Sequence, residues 1–319
     1  MTHNSVQHAM IAVMEVSIDK PRITIHGEEA NALPRFSGVY RFYDSNNGLL
    51  YIGKSVDIRA RVQSHLQEGR KPGRHQRIMS QVAHIDCTAT AGEVGALLIE
   101  NAAIKAETPL YNRRQRRVRK LWTIHLNQDS SGFLLPKSID FVPESERAID
   151  SYGLYNNPKH IESSLRRHAR DHGLCLRMLG VDKGRGPCFQ FQLKRCDGAC
   201  AGEETAEEHN ARLLSVLDRD RIAAWPFAGP LALCEQNSKP FENQPTVQYH
   251  IVDHWSYVGS VGDNSDIAAV LAQAQPRFFD RDGYNLLVSA LRKGRVTLLD
   301  AYSGQAVDNP LLERQGAGP

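Results

Sequence analysis

Gly38-Val39-Tyr40-Arg41-Phe42-Tyr43 and Leu49-Leu50-Tyr51-Ile52-Gly53-Lys54 decide how this chain folds. Both runs are rich in β-branched and aromatic residues, and Asp44-Ser45-Asn46-Asn47-Gly48 between them is turn chemistry. Together they predict a β-hairpin that brings Tyr40 and Tyr51 close. Residues 56–67 follow as a helix, because Ile58, Val62 and Leu66 recur every four residues. Arg61 and His65, also four apart, lie on the flank of that stripe and can face a cleft. A short helix is predicted over 76–82, a strand over 84–90, and a long apolar helix over 93–105, ended by Pro109.

Beyond Pro109 the pattern changes. Residues 113–120 read Arg113-Arg114-Gln115-Arg116-Arg117-Val118-Arg119-Lys120, six basic of eight. That run is a plausible phosphate-contacting segment, or equally a solvated linker. Residues 121–141 read as a strand pair turning at 129–132, 161–172 as a basic helix, and 206–220 as an amphipathic helix. After Trp225-Pro226 the composition turns to strands, at 247–251, through the apolar run 285–291, and at 296–299. Trp255 and Tyr257 read as core rather than as base-stacking platforms. The expected class is α+β. Its parts are an N-terminal extension (1–32), a small three-stranded antiparallel sheet flanked by helices (33–118), linker strands with a four-cysteine basic helical module (119–221), a β-rich domain (222–305) and a tail (306–319).

The 39 Lys and Arg against 36 Asp and Glu leave a net charge of only +3, so any nucleic-acid surface has to be local. No apolar stretch approaches the ~18 residues of a membrane span, and no signal-peptide pattern opens the chain. A cytoplasmic protein is expected, with its six cysteines as thiols or metal ligands rather than disulfides.

Glu100 carries the first chemical signal. On a helix it shares a face with Leu97 and Ile104, and a carboxylate on an apolar face is costly unless something compensates it. A divalent cation would do so, as would pairing with Arg61 or Lys54. The order Gly-x-Tyr, Tyr-x-Gly, Arg61, Glu100, Asn112 resembles the GIY-YIG nuclease family over about residues 36–113. A wider resemblance is to the UvrC family of bacterial excision repair. It is carried by Tyr51-Ile52-Gly53-Lys54-Ser55-Val56-Asp57-Ile58-Arg59-Ala60-Arg61-Val62, Gly95-Ala96-Leu97-Leu98-Ile99-Glu100, Pro109-Leu110-Tyr111-Asn112, Gly186-Pro187-Cys188 and Lys194-Arg195-Cys196-Asp197-Gly198-Ala199-Cys200. Because the chain ends before a second nuclease domain and helix-hairpin-helix tail, it looks like the shorter Cho branch of that family. The resemblance implies a DNA endonuclease that incises on the 3′ side of a lesion in damaged double-stranded DNA, downstream of UvrA and UvrB. Other readings are a self-sufficient structure- or sequence-specific GIY-YIG endonuclease and a catalytically silent DNA- or UvrB-binding module.

The residue types suit phosphodiester hydrolysis. One carboxylate, Glu100, predicts one Mg²⁺ or Mn²⁺ ion. Arg61 has the forked donors for a phosphate. Tyr40 or Tyr51 is a candidate base or water-positioner, with Lys54 nearby to favour a phenolate, and His65 is a third candidate. Asn112 is assigned to orienting the water, the phosphate or a loop backbone.

Cys175, Cys188, Cys196 and Cys200, with 12, 7 and 3 residues between them, can hold a tetrahedral zinc or a cubane cluster. The family resemblance implies a 4Fe–4S cluster, with Zn²⁺ the alternative. Arg166, Arg167, Lys194 and Arg195 around this segment could track a phosphate backbone. Cys87 and Cys234 read as buried core thiols.

Overall fold

The computed structural model describes residues 23–24, 31–112, 120–143, 150–273 and 279–312. The chain divides into two compact units, one made of residues 1–118 with 225–319 and the other of 119–224.

The first unit begins with the predicted hairpin. β1 (Ile23–Thr24) is a two-residue edge segment; β2 (Gly38–Tyr43) and β3 (Leu49–Ser55) pair antiparallel, with Tyr40 opposite Gly53. Asp44 closes the turn by accepting from the Asn46 and Gly48 backbone N–H groups at 2.9 and 2.7 Å, and Asn47 takes a left-handed conformation at φ 60°. Helix α1 (Ile58–Gly69) is capped by the Asp57 side chain on Ala60 N, which fixes its start two residues later than periodicity alone predicts. Helix α2 (Arg74–Met79), strand β4 (His84–Ala89) and helix α3 (Glu93–Glu107) complete the β-β-α-α-β-α order. The sheet order is β1-β4-β2-β3, all antiparallel.

Strand alternation sorts the core to the two faces of this sheet. Tyr40 and Phe42 pack with Ile58, Val62 and Ile85 on the α1 face. Val39 and Ile52 pack with Ile99, Ala103 and Ile104 of α3 on the other.

The second unit contains β5 (Trp122–Gln128), β6 (Leu134–Asp140) and β7 (Ser151–Tyr155) in the order β6-β5-β7. It also contains helices α4 (Pro158–His172), α5 (Phe189–Gln192) and α6 (Ala206–Leu217). Asn157 caps α4, and Thr205 with Glu208 forms a capping box on α6.

The first unit resumes with β8 (Leu231–Gln236), β9 (Val247–Asp253) and β10 (Ser256–Val261), helices α7 (Ile267–Ala272) and α8 (Arg281–Arg292), and β11 (Thr297–Asp300). Its sheet order is β10-β9-β8-β11. Trp255 is buried at 5 % exposure, at the β9–β10 turn. The apolar run 285–291, expected to add a strand, is part of helix α8. Tyr284, Leu287, Val288 and Leu291 are buried at helical spacing, and Asp280 caps the helix by accepting from Gly283 N at 2.8 Å. A run read as continuous apolarity hid a 3.6-residue period. Among the described residues no helix is long and apolar enough to cross a membrane.

Candidate active site

The hairpin and α1 converge on one cluster. The Tyr40 hydroxyl lies 2.8 Å from His65 Nε2, and both residues are buried, at 1 % and 3 % exposure. The Tyr51 ring centroid is 6.2 Å from that of Tyr40 and 5.7 Å from that of His65. His75 of α2 adds a fourth ring 5.3 Å from His65. The two strands place the phenols, and the four-residue spacing on α1 places His65 under them and Arg61 one turn earlier at the exposed rim.

Gly53 is what makes this packing possible. A Cβ there would lie 2.4 Å from the Tyr40 hydroxyl oxygen and 2.5 Å from its Cζ. Any side chain at position 53 displaces the phenol from His65.

The electrostatics divide the groups by role. Burial pushes the Tyr40 phenol far above its ordinary value, and the Tyr51 charge adds to this while Arg61 opposes it. Tyr51 is raised as well, by burial and then by Glu100. His65 is held down at about 4, first by burial and then by Arg61 and His75. At neutral pH the pair is therefore a neutral phenol against a neutral imidazole. Glu100 is raised to about 7 by burial, which the Lys54 charge, then the Lys54 backbone N–H and Arg61, offset only in part. A half-buried carboxylate without a full counter-charge is the donor a hard divalent cation completes, so Glu100 could hold Mg²⁺ or Mn²⁺.

Two predicted site residues have hydrogen-bond partners outside the phenol–imidazole cluster. The Lys54 ammonium donates to Glu93 Oε1 at 2.9 Å, and Glu93 also accepts from Arg295 at 3.0 Å. The Asn112 amide is used up by one backbone: its Oδ1 accepts from Ile52 N at 3.0 Å and its Nδ2 donates to Ile52 O at 2.9 Å. With Leu110 N and Tyr111 N donating to Leu49 O and Leu50 O, Asn112 fastens the segment after α3 along β3.

In the second unit Cys175, Cys188 and Cys200 form one group, and Cys196 approaches it at Cys188. Cys175 Sγ and Cys188 Sγ are 3.9 Å apart, Cys188 Sγ and Cys196 Sγ 3.6 Å, and Cys188 N donates to Cys200 Sγ at 3.1 Å. The sulfurs of Cys175, Cys188 and Cys200 all lie within 4.8 Å of one another, as metal ligands would. Burial pushes Cys196 up to about 12 and Cys200 up to about 11. His209, buried and held near 4 by burial and Arg212, stays neutral and accepts from Cys175 N at 3.4 Å.

The basic candidates are scattered. Arg113, Arg114, Arg116, Arg117 and Arg119 lie outside the described residues. Lys120 is paired with Asp140 at 2.6 Å, and Arg166 with Glu162 at 2.8 Å. Arg167, Lys194 and Arg195 are exposed on the second unit. Sequence reasoning missed Arg74 and His75, which bear on Tyr51 and His65. It also missed Glu235, Gln248 and His250, which touch the start of α3 from 140 to 157 residues away. Nothing local marks these residues.

Family models match three successive regions: the UvrC-like GIY-YIG domain over residues 36–113, the UvrC/Cho excinuclease middle domain over 122–219, and the excinuclease Cho C-terminal domain over 230–303. The chain is 40 % identical over 279 residues to the excinuclease cho of Salmonella typhi, covering 86 % of this chain and 88 % of that protein. It is 38 % identical over 281 residues to the excinuclease cho of Escherichia coli K12, covering 86 % and 90 %. Similarity to the UvrABC system protein C of Neisseria gonorrhoeae is 31 % over 179 residues, 56 % of this chain but 28 % of that protein. With a UvrC-like nuclease domain, a UvrC/Cho middle domain and a Cho C-terminal domain in sequence, the chain belongs to the excinuclease Cho family of endonucleases.

Proposed function

We propose that this endonuclease incises damaged double-stranded DNA on the 3′ side of a lesion, acting after UvrA and UvrB in nucleotide excision repair. The observation that carries the chemistry is the buried 2.8 Å contact between the Tyr40 hydroxyl and His65 Nε2, beside Tyr51, Arg61 and Glu100. Damage-directed cutting rests on kinship with the Cho excinucleases.

In this reading the exposed Arg61 guanidinium holds the scissile phosphate with parallel N–H donors and offsets its developing charge. An attacking water hydrogen-bonds to the Tyr40 oxygen. As the water attacks phosphorus, its proton passes to that oxygen while the Tyr40 proton moves to His65 Nε2, leaving the phenol neutral and the imidazole protonated. Burial keeps His65 unprotonated but weakly basic at about 4, so it accepts only with the negative charge of the scissile phosphate beside it to stabilise the imidazolium. Tyr51 closes the second wall and helps exclude water. Glu100 would hold one Mg²⁺ or Mn²⁺, which supplies charge relief at the phosphate and the departing oxygen. Lys54 and Asn112 act on the frame, through Glu93 and the Ile52 backbone.

The four thiols form a metal centre in the second unit, and the exposed Arg167, Lys194 and Arg195 around it follow the DNA backbone. The UvrC resemblance implies a 4Fe–4S cluster. The mutual approach of the Cys175, Cys188 and Cys200 sulfurs within 4.8 Å favours a second reading, a single zinc on those three thiols, with Cys196, 3.6 Å from Cys188, as the candidate fourth ligand. Zn–S bonds of ~2.3 Å put tetrahedral sulfurs about 3.8 Å apart, whereas a cubane, with each thiolate on its own iron, needs roughly 6 Å. Metal and sulfide analysis after oxygen-free purification separates the two: iron with sulfide supports the cluster, and stoichiometric zinc alone refutes it.

The functional reading is tested by incising a lesion-bearing duplex with Mg²⁺, with and without UvrA and UvrB. A single cut 3′ to the lesion that depends on both supports it. Equal cutting without them refutes the repair assignment in favour of an autonomous nuclease.

A further inference from the structure

The Cho C-terminal domain carries no chemical motif, yet it grips the helix that bears Glu100. Helix α3 starts at Gly92, which offers no capping side chain. The missing cap comes from β8. Glu235 Oε1 accepts from Val94 N and Oε2 from Gly95 N, both at 2.9 Å. Those N–H groups are among the four a helix start leaves unpaired, and a carboxylate there also meets the positive end of the helix dipole.

Glu235 is itself held. His250 Nε2 lies 3.2 Å from Glu235 Oε2, His250 Nδ1 is 2.7 Å from Ser260 Oγ, and Ser260 Oγ is 2.6 Å from the Tyr257 hydroxyl. One arrangement satisfies every atom: Tyr257 donates to Ser260, Ser260 to Nδ1, and Nε2–H to the carboxylate. Gln248 adds a bond from Ala91 N at 3.1 Å. Further along the same helix, Asp280 at the start of α8 accepts from Lys105 Nζ at 2.5 Å and from Asn101 Nδ2 at 3.1 Å. Contacts on both sides of Glu100 therefore come from the C-terminal domain.

The helix is shaped to receive this grip. A Cβ at Gly95 would lie 2.5 Å from His250 Cε1 and 3.2 Å from Glu235 Oε2. Helical side chains lean toward the N-terminus, so the Glu100 carboxylate rides over the turn that Glu235 caps. Loss of the cap frays that turn and loosens the carboxylate.

We infer that Glu235 and His250 are positioning residues through which the C-terminal domain sets Glu100 for its divalent ion. The inference rests on the reading of Glu100 as the metal carboxylate.

Mn²⁺ binding to the full chain, followed by the electron paramagnetic resonance of free Mn²⁺, tests it without any cutting. Partners that hold a metal ligand in place are typically worth ~10–100-fold in affinity, and the lower end suits a residue acting through a helix turn. Glu235→Ala and Gly95→Ala should each weaken Mn²⁺ binding roughly tenfold and raise the Mn²⁺ needed for half-maximal cutting alike. Saturating Mn²⁺ should restore the rate, and the double variant should be no worse than either single one. Glu235→Gln, which keeps the shape and one acceptor oxygen, should fall between and serves if Glu235→Ala does not fold. Gly95→Ala adds helix propensity, so weakened Mn²⁺ binding in a well-folded Gly95→Ala is not a general loss of structure. Unchanged Mn²⁺ affinity in folded Glu235→Gln and Gly95→Ala overturns the inference. Glu100→Gln is the control: if it binds Mn²⁺ as the parent does, the assignment of Glu100 fails, whatever Glu235 does.

Discussion

Replacing Glu100 with Gln should make the metal-free protein more stable at pH 8 while abolishing incision. Burial raises the Glu100 carboxyl from 4.5 to about 7. The folded chain therefore holds this proton more tightly than the unfolded chain between those two values. The sign follows from linkage: the parent loses stability as pH climbs from about 4.5 to 7, and above 7 the loss is complete. At ~1.4 kcal/mol per pH unit the full cost is about 3 kcal/mol. Gln, neutral like the protonated acid, escapes it, and the favourable pull of Lys54 and Arg61 on the carboxylate is already contained in the value of about 7. The variant should thus gain about 3 kcal/mol at pH 8 and nothing near pH 4. Urea denaturation with a chelator present, at both pH values, measures the gap. Adding Mg²⁺ should raise the parent's midpoint and leave that of Glu100→Gln in place. A variant no more stable than the parent at pH 8, or a gap of the same size at both pH values, refutes the reasoning.

Three further outcomes are expected. Gly53→Ala should fold and bind DNA but cut at least ~10-fold more slowly, because its Cβ displaces the Tyr40 phenol from His65; single-turnover rates on a nicking substrate measure this. Asn112→Ala leaves the Ile52 N–H and C=O without their partner and should cost about 2–4 kcal/mol by denaturation, while molecules that stay folded still cut. With His65 held near 4 by burial, Arg61 and His75, the rate should show no break from it between pH 6 and 8, and protonation should destabilise the fold only as pH falls from about 6.5 toward 4; a kcat/KM profile and a parallel denaturation series check both.

Particular residues show how far sequence reading carries into the site. The hairpin was legible because Asp44 to Gly48 is turn chemistry between two alternating strands. Arg61 and His65 were legible as neighbours because four residues make one helical turn. Glu100 stood out because a carboxylate on an apolar face needs compensation. Holding a backbone was one of the roles expected of Asn112, but that the backbone is Ile52's, and that the Lys54 ammonium donates to Glu93, was not legible.

The sequence by itself determined what short-range periodicity and turn residues control: the β-β-α-α-β-α unit, the two phenols on one hairpin, and four cysteines in one segment. Tertiary structure decided every contact that spans long separations. Tyr40 meets His65 across 25 residues, and Glu235 caps α3 across 140. It also made a helix of 281–292, where apolar composition alone suits either a buried strand or a helix. The physical reason is the same in each case. Backbone conformation is set largely by neighbours within a turn or two, whereas the partner of a buried polar atom is set by whichever distant group packing brings within 3 Å.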